Sequence, residues 1–130
     1  MKILLDECVD PNAARFFTGE FEVTHVRDLG WLGIKNGDLV TRANGRFDAL
    51  FTIDGNMRYQ TSLRGLSILV MVAEGHFRTV DDYREPIENL QRLRRHLSLQ
   101  HIISSSRSRP RSATAKTLHQ ILELPKLANS

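Results

Sequence analysis

Met1-Lys2-Ile3-Leu4-Leu5-Asp6-Glu7 is the stretch from which the fold is read. Three consecutive apolar residues that run straight into two carboxylates read as a short strand, buried on both faces, whose C-terminal end opens into a cleft. A second stretch repeats the pattern. Ala49-Leu50-Phe51-Thr52-Ile53 is an apolar run that ends on Asp54, with Gly55-Asn56 as the turn. Two strands are therefore predicted to deliver an acid to the same edge of a sheet.

Between and beyond these two strands the pattern alternates. Pro11 suits a first helical position, and Ala13, Ala14, Phe16 and Phe17 predict a short helix that Gly19 ends. Phe21–Val26 alternates as a strand nearer an edge does, and Arg27–Gly33 reads as a loop. Asn36 is the expected N-cap of a helix from Gly37 to about Arg46, with Asp38 in its first turn and Leu39, Val40, Ala43 and Phe47 as its apolar stripe. Residues 56–64 form a polar connection, and Leu66–Val72, the most apolar segment, reads as a fully buried fourth strand. Thr79 and Asp82 have capping-box spacing, and Val80, Tyr83, Ile87, Leu90, Leu93 and Leu97 follow helical periodicity. Pro86 interrupts that period, which predicts a kink or a fresh start at Glu85. Strands separated by helices imply right-handed crossovers and an α/β fold: a three-layer sandwich around a four-stranded parallel sheet of order 2-1-3-4. In that order the switch point, where open parallel sheets bind ligands, falls between strands one and three. Asp6 and Asp54 would share it, with Asp38 at the same edge.

Length and composition exclude several classes. At 130 residues and 41% hydrophobic content the chain reads as one domain with a real core, and no apolar run approaches the ~18 residues of a membrane span. The chain opens directly on the strand without the pattern of a secretory signal, and its single cysteine, Cys8, excludes an internal disulfide, so a cytoplasmic protein without a membrane partner is expected. Residues 1–97 hold 13 Lys and Arg against 14 Asp and Glu, whereas residues 98–130 hold 5 against 1, so the excess basicity lies wholly in the tail. Residues 1–97 are taken as the folded domain. Residues 98–130 are expected to be a disordered Ser/Arg tail around Ser104–Ser112, with a short amphipathic helix through Leu118, Ile121, Leu122 and Leu124.

Each of the three acids has an ordinary explanation by itself: Asp38 a helix N-terminal charge, Asp54 a turn residue, Asp6 an Asx-type turn former. Gathered at one edge, they suit a hard divalent cation, Mg²⁺ or Mn²⁺, which takes carboxylates, waters and substrate phosphate as oxygen ligands. The histidines show no ligand spacing with one another, and surface or satisfied roles are expected of them.

Taken together, Leu4-Leu5-Asp6-Glu7, Val26-Arg27-Asp28-Leu29-Gly30, Asn36-Gly37-Asp38-Leu39 and Thr52-Ile53-Asp54-Gly55-Asn56 resemble the compact PIN-like domains of toxin ribonucleases, in order and with compatible spacing. The resemblance implies a metal-dependent endoribonuclease whose Mg²⁺ or Mn²⁺ is held by Asp6, Asp38 and Asp54. Asp28 matches a recurrent acid of the compact family, and Glu7 a ligand or a supporting group. Thr52, Asn56, Arg27 and Arg58 would orient water or phosphate. The implied partners are an RNA substrate and a cognate antitoxin, and a homodimer is compatible with it. The chain lacks the longer helical region of full PIN domains, so a silent PIN-like interaction module is the alternative. A phospho-accepting receiver domain shares the acids but wants a hydroxyl residue after strand four, where Val72-Ala73-Glu74 stands.

Overall fold

In the computed structural model, which describes residues 1–57, 64–94, 102–106 and 121–123, the opening stretch forms β1, Lys2–Leu5. It lies between two parallel neighbours, β2 (Glu22–His25) and β3 (Ala49–Thr52), with Leu4 opposite Thr24 on one side and Leu50 on the other. Central position explains the composition: Ile3, Leu4 and Leu5 are all fully buried, as a strand covered on both faces requires. β4 (Leu69–Glu74) pairs with β3, completing the expected order 2-1-3-4.

Pairing then continues to β5 (Ile102–Ser106) and β6 (Ile121–Glu123), also parallel, giving the order β2-β1-β3-β4-β5-β6. Ser104–Ser106 of the expected linker, and Ile121 and Leu122 of the expected helix, are thus in strands. The β4 edge offers unpaired backbone groups from Val70 to Glu74, and backbone pairing fills them whatever the side chains of the added strand. The remainder of the Ser/Arg stretch, Leu118 and Leu124 lie outside the described residues.

Alternation along the strands divides the core into two clusters. Ile3, Leu5, Ala49, Phe51, Leu69 and Met71 pack with Ala13, Phe16, Phe17, Tyr83, Ile87 and Leu90. Leu4, Leu50, Val70 and Val72 pack with Val26, Trp31, Leu39, Val40 and Ala43. The partners in the first cluster come from a 3₁₀ helix, Pro11–Phe16, with Phe17 as its C-cap, and from the helical region from Val80 onward. Those in the second come largely from α1, Asn36–Ala43.

The connections differ from expectation in instructive ways. Arg27–Gly33 begins as part of a 3₁₀ helix, Val26–Leu29, closed by Gly30 in the left-handed conformation at φ 73°, where a side chain would be strained. α1 takes Lys35, not Asn36, as its N-cap, with no side-chain capping bond, and ends at Ala43. Asp82 Oδ2 accepts the N–H groups of Arg78 and Thr79 at 2.7 and 2.9 Å, a 3₁₀ helix follows over Val80–Tyr83, and α2 (Arg84–Arg94) starts one residue before Glu85. Pro86 falls in the first turn of α2, where no N–H has an intrahelical acceptor, so no kink is needed. Among the described residues no helix is long and apolar enough to cross a membrane.

Candidate functional site

At the C-terminal ends of β1 and β3, backbone register brings two acids together. Leu5 pairs with Phe51, and Asp6 N donates to Phe51 O at 3.0 Å, so the ladder carries Asp6 to the level of Thr52. Thr52 is fully buried, and its Oγ1 donates to Asp6 Oδ2 at 2.7 Å while accepting the Asp54 N–H at 3.0 Å. One hydroxyl therefore links both acids. Its proton bonds a charged acceptor, which makes that bond the stronger kind.

Each carboxylate is further fixed. Asp6 Oδ1 accepts the Glu7 N–H at 2.8 Å, and the residue is only 7% exposed. Asp54 Oδ1 accepts the Asn56 N–H at 2.9 Å, an Asx turn. Asp54 Oδ2 accepts from Asn36 Nδ2 at 3.3 Å, reaching across from the start of α1. A carboxylate has about four lone-pair positions. Asp54 keeps room for a further ligand after these two bonds.

The other expected members stand apart. Asn36 points at Asp54, and at 3.6 residues per turn Asp38, two positions on, sits about 200° around the helix axis. It is exposed, and among the described residues no three acids are grouped to hold a metal ion, so the expected trio of Asp6, Asp38 and Asp54 is not assembled. Asp28 is exposed on the turn after β2, one strand further from β3. Glu7 serves the backbone: its Oε1 accepts the Gly33 N–H at 2.6 Å, tying the loop after β1 to the segment after β2. Thr52, expected to orient water or phosphate, is instead turned inward onto the acids. Asn56 is exposed and bonds the site through its backbone N–H. Arg27 is exposed beside this edge, and Arg58 lies outside the described residues.

Cys8 joins the pair from the loop. The residue as a whole is exposed, but its Sγ lies 3.5 Å from Thr52 Oγ1 and 3.7 Å from Asp6 Oδ2. Desolvation there pushes the thiol above its ordinary value, and the Asp6 charge adds to the rise, against a lowering contribution from the Thr52 hydrogen bond. This is a quiet thiol, not an activated nucleophile. Tyr83, whose hydroxyl oxygen accepts the Asp10 N–H at 3.2 Å, is likewise raised, chiefly by desolvation. Asn36 and Cys8 had no place in the sequence-predicted site: the first reads as a cap, and the second has no base beside it.

The donor set decides what could be held here. Asp6 and Asp54 present only oxygen, as a hard cation prefers, and Mg²⁺ is commonly bound by one or two carboxylates with water and substrate phosphate completing its shell. Among the described residues no three His, Cys, Asp or Glu side chains are grouped to hold a metal ion. The residues thus fit a two-carboxylate site that substrate completes, and not a cage of three acids. No family model, curated protein or solved structure matches the chain.

Proposed function

We propose that the chain is a PIN-like domain, a three-layer α/β sandwich, and a metal-dependent endoribonuclease, with Asp6 and Asp54 as its central acids. The observation that carries this reading is the Thr52 hydroxyl joining the two carboxylates at the ends of adjacent parallel strands, on the switch point of the sheet. Mg²⁺ or Mn²⁺, when bound, would neutralise charge at phosphorus and lower the pKa of a water. The residues do the rest. Asp6, fixed by Glu7 N–H and Thr52, is the rigid carboxylate; Asp54, with lone pairs uncommitted, is placed to accept a proton from the attacking water. Asn36 orients Asp54, and exposed Arg27 and Lys35 attract the phosphate backbone towards this edge. The proposed setting is the cytoplasm, as the toxin of a toxin–antitoxin pair whose antitoxin covers the acidic edge.

The dispersal of Asp38 and Asp28 favours a second reading, a silent interaction module of the same fold. Incubating purified protein with labelled single-stranded RNA and Mn²⁺ separates them. Cleavage that EDTA stops and that Asp54→Asn lowers by about 10²-fold or more supports the ribonuclease. RNA left intact by the wild type across several substrates supports the module.

A further inference from the structure

His25 is the one buried histidine among the described residues, 5% exposed at the end of β2, and the chemistry above makes no use of it. Both ring nitrogens are engaged. Nε2 lies 2.8 Å from Val9 O, which can only accept, so Nε2 carries the proton. Nδ1 accepts the Arg27 N–H at 3.0 Å, so it must be bare. Only the neutral Nε2–H tautomer satisfies both bonds.

The two partners belong to different segments, one the loop that begins at Asp6 and the other the turn after β2, the strand beside β1. Val9 closes the loop that starts at Asp6, its N–H donating to Asp6 O at 3.0 Å. Arg27 opens the 3₁₀ turn that carries Asp28 and leads through Gly30 to Gly33. That segment meets the loop a second time where Gly33 N–H bonds Glu7. Any buried neutral imidazole needs a partner for each nitrogen; here one partner is the local cap of the turn and the other, Val9 O, lies 16 residues away on a different loop. We infer that His25 is a positioning residue: as the Nε2–H tautomer it clips the Asp6–Val9 loop to the Arg27–Gly33 segment and so fixes where Asp6, Glu7, Arg27 and Asp28 stand relative to one another. It touches no substrate. Its consequence for cleavage rests on the ribonuclease reading; the clip itself does not.

Two variants divide the clip. His25→Asn keeps an acceptor near the Nδ1 position, a good N-cap for the turn, but is too short to reach Val9; His25→Gln keeps a donor towards Val9 and loses the cap. Long-range ¹H–¹⁵N correlation on the wild type should show Nε2 protonated and Nδ1 bare. Amide exchange should show Arg27 protected in wild type and His25→Asn and unprotected in His25→Gln, while the Val9-loop amides loosen in His25→Asn. RNA cleavage should fall roughly tenfold or more in both variants, in kcat more than in KM. A ring protonated at Nδ1, or Arg27 exchange unchanged in His25→Gln, overturns the clip, and the tautomer is read on the wild type even if a variant fails to fold. The expected tautomer and exchange in a protein that cuts no RNA would uphold the clip and overturn the ribonuclease reading.

Discussion

Thr52 concentrates the site's logic in one side chain. Among the described residues its hydroxyl is the one group bonded to both acids' residues, and it is buried, so removing it leaves Asp6 Oδ2 and the part-buried Asp54 N–H each short of a partner. Thr52→Val, nearly the same shape, is expected to lower stability by about 1–3 kcal/mol in chemical denaturation, while Thr52→Ser loses only the methyl contacts and keeps both bonds. Equal losses in the two variants would mean that packing, not the hydroxyl, matters. Cys8 gives a second test. A thiol whose folded value is raised holds less thiolate at neutral pH than a free cysteine, so alkylation by iodoacetamide should be slow at pH 7 and should accelerate as pH rises beyond the ordinary thiol range. Fast alkylation at pH 7 would contradict the inward Sγ. Asp6 and Asp54 were legible in the sequence because each ends an apolar run. The inward turn of Thr52 was not, because it depends on the register that sets Leu5 against Phe51, and no local pattern encodes that pairing.

At the level of elements, α1 shows a local preference overruled by a tertiary bond. Asn36 has the side chain of a good N-cap, yet its amide is spent on Asp54, and Lys35 caps without a side-chain bond. One element therefore has an open capping position. Lys35→Ser is expected to stabilise the protein by about 1 kcal/mol, read as a raised urea midpoint with an unchanged slope. No gain would mean that the first turn of α1 is satisfied in another way. The same helix explains why Asp38 was misplaced: its stripe of Leu39, Val40 and Ala43 was legible, but which of its polar residues faces β3 follows from how that stripe is rotated onto the sheet. Helical periodicity through Pro86 is reconciled as simply. A proline in the first turn of α2 removes no hydrogen bond, and the residues before it form a 3₁₀ helix of their own.

Over the whole molecule the strand order was legible from alternating strand and helix patterns, because an apolar run bounded by acids and turns admits few other readings. The continuation to β5 and β6 was not, since Ile102–Ser106 is short, serine-rich and without a period of its own. Truncation after Leu97 should therefore expose β4 as an edge: the protein should stay folded by circular dichroism but unfold at lower denaturant and self-associate at high concentration. Unchanged stability and a strict monomer would mean that β5 contributes nothing to the fold. The central claim, that Asp6 and Asp54 together make a cation-dependent centre, needs no knowledge of the RNA target. The direct measurement is the thermal midpoint of wild type, Asp6→Asn and Asp54→Asn in EDTA and in millimolar Mn²⁺. Ligand linkage gives about 2.7 kcal/mol of stabilisation at a hundred times Kd, so the wild-type midpoint should rise by several degrees and the rise should be lost in both variants. An equal rise in all three proteins, or none in the wild type, would contradict it.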